Sequence, residues 1–407
     1  MPTISVFEHD TLLIGQCQKG VRFEQKHYKL LAERLGRKDD SVFPFYSLVK
    51  DGVKFKQYVG AIQAGNLTIE ILPKTDRDSV NQDWKAILLF MLSKVYNLRV
   101  RSESISPQRV RRSSVLDLFI LRFLNETEKI LHQGLIKSYR AQRENATALK
   151  GRLLIPQQIT KNLVHQERFF VQHTVYDHSH IMNRILRQAL VCIVANSSNP
   201  AFSQRASNYL DSFPELDPIP INESLFARLV YDRKTDRYRD AIALAELILF
   251  NNMPDLQSGK KESLAMLFDM NRLWEEFVYV TLRHYFAGRY TVCAQIKKRF
   301  WETKTIRPDI VIRDSSKMIV LDTKWKRPDK GYPSDNDLHQ MYVYYRYFGA
   351  NKVALLYPST DNSTQVIKGK FTESGTSCDL MYFPVPDWQG NGKQWQTDIG
   401  NAIDKWI

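Results

Sequence analysis

The segment from Arg307 to Lys324 reads RPDIVIRDSSKMIVLDTK, and its pattern predicts two paired β-strands. The two halves, Asp309–Arg313 and Met318–Lys324, are rich in the β-branched and apolar residues that favour strands. The polar stretch Asp314-Ser315-Ser316 between them is typical of a turn. The segment is therefore expected to form a β-hairpin.

Three charged side chains of this hairpin should lie close together. Because side chains alternate along a strand, Asp322 and Lys324 should point to one face, and Asp309 begins the neighbouring strand. Two clustered carboxylates suit a hard cation such as Mg²⁺, with water and backbone oxygens as further ligands. Such a site polarises a phosphodiester, and Lys324 would orient the attacking water. The alternative is that each Asp is only a turn former at a strand end.

A predicted helix before the hairpin, Ser263–Phe286, carries two adjacent glutamates. Glu276 falls opposite the apolar stripe of this helix and is expected to be solvated. Glu275 falls at the edge of the stripe. It is either a further ligand or base of the site, or a surface carboxylate.

A predicted helix after the hairpin, at about Pro333–Phe348, places Gln340 and Tyr344 four residues apart on one face. The two side chains either contact Lys324 or a DNA phosphate, or they pack in the core.

The net charge of the 407-residue chain is +14, from 58 Lys and Arg against 44 Asp and Glu. More than half of this surplus lies in residues 281–330, which hold 13 Lys and Arg against 5 Asp and Glu. A surplus of this size indicates an anionic partner, either nucleic acid or a membrane surface. Basic side chains next to Phe300 and Trp301 favour a DNA backbone. The candidate DNA-binding residues are Lys297, Lys298, Arg299 and Lys326.

Composition and the first residues exclude several classes of protein. A hydrophobic share of 43% and a charged share of 25% are typical of a globular chain rather than a disordered one. The 4 cysteines form no C-x-x-C pair, so neither a local zinc ribbon nor a disulfide framework is expected. The start lacks a signal-peptide pattern, and no apolar run approaches a membrane span. A soluble, cytoplasmic protein without membrane partners is expected.

The chain is long enough for two or three domains. We predict a multi-domain α+β or α/β architecture, with a β-rich region at residues 1–110, a mainly helical region at 111–260 and a mixed sheet with helices at 261–407. The strands expected in the first region are Val53–Val59, Gly60–Gln63 and Leu67–Leu72, followed by a helix at Asn81–Tyr96 and a linker at Arg99–Arg112. The later strands expected outside the hairpin are Tyr290–Ile296 and Lys352–Tyr357.

Taken together, these residues resemble the PD-(D/E)xK nuclease motif set and, within it, the McrC family of McrBC modification-dependent (type IV) restriction systems. The resemblance covers most of the chain. Its nuclease motifs are Pro308-Asp309, Asp322-Thr323-Lys324 and Gln340-x-x-x-Tyr344. The wider match comprises NRLWEEFV at 271–278, LDTKWK at 321–326, KGRLL at 150–154, NLVH at 162–165 and ILPK at 71–74.

This resemblance implies a fold, a reaction and a partner. It implies a restriction-endonuclease-like fold at residues 261–407, with Asp309 and Asp322 as metal ligands and Lys324 as the catalytic lysine. It implies that the amino-terminal part docks in the hexameric ring of a McrB-like AAA+ GTPase and stimulates GTP hydrolysis. Arg140, Arg143 and Arg152 are candidates for contact with that partner.

The leading hypothesis is a Mg²⁺-dependent endonuclease subunit that cuts double-stranded modified DNA in a complex with an AAA+ GTPase. One alternative is a non-catalytic, DNA-binding activator of the ring, in which the acidic pair is structural. Another is a stand-alone PD-(D/E)xK repair nuclease. The roughly 260 residues outside the nuclease region argue against this last alternative, because they suggest a role in an assembly.

Overall fold

The computed structural model describes residues 2–18, 20–35, 45–73, 84–96, 114–197, 199–251, 265–314, 317–326, 332–359, 363–372, 375–386 and 392–407. By its internal contacts the chain divides into a first unit, residues 1–118 with 263–407, and a second unit, residues 119–262. The predicted linker Arg99–Arg112, the turn residues Ser315 and Ser316 and both predicted domain boundaries lie outside the described residues. The division into three domains therefore stays a prediction.

Helices and strands alternate irregularly along the chain, as expected for a mixed α+β protein. Within the described residues the α-helices are α1 (Gln25–Leu35), α2 (Trp84–Val95), α3 (Val115–Gln133), α4 (Ile155–Asn162), α5 (Ile181–Asn196), α6 (Pro200–Leu210), α7 (Glu223–Ala227), α8 (Arg239–Asn251), α9 (Met270–Tyr285), α10 (Asp335–Phe348) and α11 (Gly392–Trp406).

The strands are distributed over both units. Those before α3 are β1 (Thr3–Phe7), β2 (Thr11–Leu13), β3 (Cys17–Gln18), β4 (Val21–Arg22), β5 (Tyr46–Val49), β6 (Gly52–Phe55), β7 (Tyr58–Ala64) and β8 (Leu67–Leu72). Those of the second unit are β9 (Ser138–Ala146), β10 (Arg152–Leu153) and β11 (Phe169–Asp177). The later ones are β12 (Ala265–Asp269), β13 (Thr291–Ala294), β14 (Lys298–Trp301), β15 (Lys304–Ile306), β16 (Ile310–Arg313), β17 (Met318–Thr323), β18 (Lys352–Ser359), β19 (Gln365–Ile367) and β20 (Cys378–Pro384).

The amino-terminal part of the first unit is rich in strands, which confirms the prediction for this region. Strands β1, β8, β7 and β12 form one sheet in that order, and β2, β6 and β5 form another. The predicted strand Val53–Val59 is wrong in its bounds, because a break after Phe55 separates β6 from β7. Side chains of both sheets fill one apolar core that includes Ile62, Ile69 and Phe55.

The predicted helix Ser263–Phe286 is wrong over residues 265–269. Residues 265–269 instead form β12, which pairs antiparallel with β7. The helix begins only at Met270, because the side chain of Asp269 accepts hydrogen bonds from the backbone N–H groups of Asn271 and Arg272. The four consecutive apolar residues before this cap suit a buried strand as well as a helix.

The second unit is mainly helical, as predicted, but it also contains a sheet that the sequence analysis did not identify. Strand β11 lies between β10 and β9, and both pairings are antiparallel. The long pair β9–β11 extends over nine residues of each strand. Helices α5 and α6 pack against each other, and α5 also packs against α8.

A mixed sheet, called here the C-terminal sheet, is the framework for the charged hairpin. Its strands lie in the order β13, β16, β17, β18, β20, β19. The predicted hairpin is confirmed, since β16 and β17 pair antiparallel, whereas β17, β18 and β20 are parallel to one another. Helix α9 contacts β13 and β17, and α10 contacts β17 and β18. Val320, Val353 and Leu355 of the sheet pack with Met341 and Tyr344 of α10.

Bilayer-spanning helices were sought along the chain. Within the described ranges, none of the helices combines the length and the apolar character that crossing a bilayer requires.

Candidate functional site

The two aspartates of the hairpin lie side by side at one end of the C-terminal sheet. Ile310 pairs with Leu321 in the β16–β17 register, so Asp309, one residue earlier, comes opposite Asp322. Asp309 follows Pro308 at the start of its strand, and Asp322 lies near the end of β17. The antiparallel pairing therefore brings together two carboxylates from the two ends of the hairpin.

Asp309 is fixed in place by the residue that follows Asp322. Its Oδ2 atom accepts hydrogen bonds from the backbone N of Thr323 at 2.7 Å and from the Thr323 hydroxyl at 2.9 Å. Burial raises the pKa of the Asp309 carboxyl above its ordinary value, against the lowering effect of these bonds. The two bonds from Thr323 thus orient Asp309 through its Oδ2 atom. They leave its Oδ1 atom available for a ligand.

Asp322 is almost fully buried, with 1% of its surface exposed. Burial, followed by the neighbouring charge of Asp309, raises the pKa of the Asp322 carboxyl to about 7. Lys324 Nζ lies 2.7 Å from Asp322 Oδ2 as an ion pair. The other oxygen of Asp322, Oδ1, is buried and receives no hydrogen bond from any described residue. Because Asp309 lies beside it, the single Lys324 ammonium does not fully offset the cost of burying this carboxylate.

Lys324 is held by more than one partner. Its Nζ atom donates to Gln340 Oε1 at 3.1 Å, and it lies 3.7 Å from Asp337 Oδ1. Gln340 Nε2 in turn donates to the Tyr344 hydroxyl at 2.7 Å. That hydroxyl donates to the carbonyl oxygen of Arg307 at 3.0 Å. Both interpretations given for Gln340 and Tyr344 are thus met in part. Gln340 contacts Lys324, and Tyr344 packs in the core while its hydroxyl bonds to Gln340.

The structure separates the two adjacent glutamates of α9. Glu276 pairs with Arg272 at 2.9 Å, one helical turn earlier. Glu275 is half-buried, and its Oε1 atom accepts a hydrogen bond from Gln295 Nε2 at 2.6 Å. Burial, followed by the charge of Asp309, raises the pKa of the Glu275 carboxyl. Glu275 therefore lies within electrostatic reach of the aspartate pair and is not a solvated surface carboxylate.

Two acidic side chains, Asp309 and Asp322, lie at the centre of the site. Among the residues that the structure describes, no group of three or more His, Cys, Asp and Glu side chains is placed to hold a metal ion. A divalent cation at Asp309 and Asp322 would therefore need further oxygen ligands from backbone carbonyls, water or substrate. Mg²⁺ commonly binds in this way, because it retains several of its waters.

Comparison with known protein families identifies the chain. The family model described as McrBC 5-methylcytosine restriction system component matches residues 53–358, which include the whole hairpin. The chain belongs to this McrBC family. A search of the curated proteins finds no match.

Two solved structures are similar to this McrBC-family chain. A chain of the half-complex from the tetradecameric assembly of Thermococcus gammatolerans McrB AAA+ hexamers with bound McrC matches with a TM-score of 0.66 and 20% identity, over 100% of each chain. This match is to McrC, so the chain shares its fold with the McrC subunit. The cryo-EM structure of the Thermococcus gammatolerans McrBC complex matches with a TM-score of 0.47 and 18% identity, over 71% of this chain and 89% of that one.

The predicted DNA-binding residues of this McrBC-family chain lie next to the site. They differ in whether their side chains bond to other residues of the chain. Lys297 and Arg299 are exposed, at the start of the hairpin formed by β14 and β15. Lys298 is exposed too, although its Nζ atom donates to the carbonyl oxygen of Tyr347. Lys326 pairs with Asp337 at 2.6 Å.

Sequence reasoning missed Asp337, which contacts both lysines of the DTKWK motif. It is the third residue of α10 and forms a capping box with Ser334. The sequence does contain a signal for it, because Ser334-x-x-Asp337 before an apolar run is a capping-box pattern. Nothing in the sequence showed that its carboxylate would also reach Lys324.

Proposed function

We propose that the chain is a McrC-like, Mg²⁺-dependent endonuclease subunit, whose C-terminal sheet is a PD-(D/E)xK fold that hydrolyses phosphodiester bonds of double-stranded modified DNA. The observation that carries this proposal is the convergence of Asp309, Asp322 and Lys324 at one edge of the sheet. In this arrangement two carboxylates lie side by side, and one of them has 1% of its surface exposed. Membership in a restriction-system family agrees with a DNA substrate.

The residues present fit a hard divalent cation. Asp322 has two buried oxygens, of which Oδ2 pairs with Lys324 and Oδ1 receives no hydrogen bond from the described residues, and Asp309 keeps one oxygen free of the Thr323 bonds. Both pKa values are raised, so the pair is poorly neutralised by its own surroundings. Oxygen ligands of this kind favour Mg²⁺ or Mn²⁺ over softer metals. Bound between them, the cation would polarise the phosphodiester and lower the pKa of the attacking water.

The other residues of the site have complementary roles in this proposal. Lys324 carries the positive charge that stabilises the negative charge developing on the phosphate. The chain of hydrogen bonds through Gln340 and Tyr344 to the Arg307 carbonyl fixes the position of Lys324. Glu275, with its raised pKa, is placed to support the aspartate pair or to accept a proton.

The β14–β15 hairpin supplies a surface for the DNA backbone. Just before this hairpin, the backbone N–H of Gln295 donates to the Asp309 carbonyl oxygen at 2.9 Å. Just after it, the chain continues from β15 to Asp309. Trp301 is 62% exposed at its tip, and Lys297 and Arg299 are exposed beside it. Cations interleaved with exposed aromatic rings suit a phosphate backbone and the bases next to it.

We further propose that the chain works with a McrB-like AAA+ GTPase ring. The solved assembly that matches this fold contains McrB AAA+ hexamers with bound McrC. The candidate partner residues Arg140, Arg143 and Arg152 all lie on the sheet of the second unit, which is exposed and carries Tyr139 and Tyr176 as well. Arg140 pairs with Asp177 at 2.8 Å, and Arg143 donates to Gln172 at 3.1 Å.

A cleavage assay tests the proposal. The full chain is incubated with methylated and unmethylated duplex DNA and Mg²⁺, with and without GTP and a McrB-like partner. Cleavage is expected only of methylated DNA with partner, GTP and Mg²⁺ all present. Asp309→Ala and Lys324→Ala should abolish cleavage while folding and partner binding persist.

The alternatives give different results in the same assay. Stimulation of GTP hydrolysis without any divalent-dependent cleavage would favour the non-catalytic activator. Cleavage by the chain alone, without nucleotide, would favour the stand-alone nuclease. Full cleavage by both variants in the complete mixture would overturn the assignment of the site.

A further inference from the structure

Among the described residues, the ammonium group of Lys324 has partners that differ in charge and distance. Its Nζ atom lies 2.7 Å from Asp322 Oδ2, 3.1 Å from Gln340 Oε1 and 3.7 Å from Asp337 Oδ1. The nearest partner is also a proposed cation ligand. A divalent cation and the Lys324 ammonium therefore compete for the same carboxylate.

The two oxygens of Asp337 are used unequally. Its Oδ2 atom accepts from Lys326 Nζ at 2.6 Å and from the Ser334 hydroxyl at 2.7 Å. Its Oδ1 atom faces Lys324 at 3.7 Å, longer than a hydrogen bond but within an ion pair. A small movement of the Lys324 ammonium away from Asp322 would thus bring it onto an oxygen that is already turned towards it.

Asp337 is rigid and charged in this position. It is 6% exposed and sits at the start of α10, where Ser334 caps the helix and accepts a hydrogen bond from the Asp337 backbone N at 3.3 Å. Burial alone would raise the pKa of the Asp337 carboxyl, but the hydrogen bonds from Lys326 and Ser334 lower it below its ordinary value. Its negative charge is therefore present at neutral pH.

We infer that Asp337 is a positioning residue: it takes over the Lys324 ammonium when a divalent cation occupies Asp309 and Asp322, which keeps the lysine beside the phosphate. The inference rests on the proposed function, since it requires the cation to bind at the aspartate pair. Gln340 alone cannot replace Asp322, because a neutral amide does not neutralise a largely buried ammonium. Asp337 supplies the missing counter-charge from the same helix that carries Gln340.

Cation binding to the protein without DNA tests the inference, independently of cleavage. The affinity of the full chain for Mn²⁺ is measured by calorimetry for the wild type, Asp337→Asn, Lys324→Met and the double variant. Asp335→Asn is the matched control, because it removes an exposed carboxylate from the same first turn of α10. Thermal unfolding of each variant shows whether the helix cap and the fold persist.

In the wild-type background, Asp337→Asn should weaken Mn²⁺ binding several-fold, because among the described residues Asp337 is the carboxylate near Lys324 that the cation does not occupy. In the Lys324→Met background the same substitution should weaken binding no more than Asp335→Asn does, because no ammonium competes. This non-additivity is the signature of a shared lysine.

Two outcomes contradict the inference, and they differ. If Asp337→Asn weakens binding by the same factor in both backgrounds, Asp337 acts only as a distant charge or a helix cap, and the inference alone is overturned. If the wild-type chain binds no Mn²⁺ and Asp309→Ala changes nothing, the proposed cation site fails as well.

Discussion

Two ion pairs of the first unit have nearly equal lengths and opposite surroundings. Lys324 and Asp322 are 2.7 Å apart, and their side chains are 22% and 1% exposed. Arg289 and Asp404 are 2.9 Å apart, and their side chains are 49% and 30% exposed. Asp404 also accepts a hydrogen bond from the Tyr285 hydroxyl at 3.4 Å, whereas Asp322 Oδ1 receives none from the described residues.

This difference contrasts a solvated ion pair with a buried ion pair that belongs to the proposed site. The exposed pair is solvated and screened by salt, so each partner tolerates loss of the other. The buried pair lies beside a second carboxylate, Asp309, and this repulsion together with burial raises the pKa of Asp322 to about 7. A folded protein retains such an arrangement mainly at functional sites, where strained electrostatics have a use.

The largest expected effect is on the rate of DNA cleavage, and it compares the buried pair with the exposed pair directly. Asp322→Asn is expected to lower the rate of DNA cleavage to below about one thousandth of the wild-type rate, because the amide cannot replace a charged ligand oxygen. Asp404→Asn, the equivalent change in the exposed pair, should leave the rate within about twofold. The measurement is initial cleavage velocity in the complete mixture with Mg²⁺, GTP and partner. Equal losses in both variants would mean that Asp322 has only a structural role.

A smaller effect is expected within α9, where one of two adjacent half-buried carboxylates lies near the aspartate pair and the other pairs with Arg272. Glu275→Gln should lower cleavage about 10- to 100-fold, because Glu275 lies beside the aspartate pair and is held there by Gln295. Glu276→Gln breaks only the exposed pair with Arg272 and should have little effect on cleavage. The same cleavage assay measures both. A larger loss in Glu276→Gln would reverse this assignment of the two glutamates.

The central hairpin was predictable from the sequence because its signals are local. Alternation along Met318–Lys324 and a polar turn are enough to bring the aspartates and the lysine to one edge. Which of Glu275 and Glu276 lies near the aspartate pair could not be predicted from local sequence signals. It depends on how α9 is rotated against the sheet, and only packing determines that rotation.

Two other features escaped prediction for related physical reasons. Strand β9 reads SYRAQRENA, and its side chains are mostly polar and none is fully buried, so no hydrophobic period marks it as a strand. Strand β12 is a run of consecutive apolar residues that fits a helix equally well, and its pairing with the distant β7 decides the outcome. In both elements the determining contact lies far away in the sequence.

The smallest expected effect is on how the thermal stability of the cation-free protein changes with pH. The direction of this change distinguishes the pair of Lys324 and Asp322 from the pair of Arg289 and Asp404. The folded-state pKa of Asp322 is about 7, above its ordinary value of 3.8, so the folded protein binds this proton more tightly than the unfolded chain does. The stabilisation from this proton is complete below about pH 4 and is lost as the pH rises through about 7. In EDTA, the wild type should therefore lose thermal stability between pH 5 and pH 8, by a few degrees in Tm, and Asp322→Asn should flatten this loss. Asp404→Asn should keep the wild-type slope, because its exposed pair is solvated and screened by salt. A wild-type Tm that rises over this range, with the same slope in Asp322→Asn, would show that the buried carboxylate is not strained in the absence of a cation.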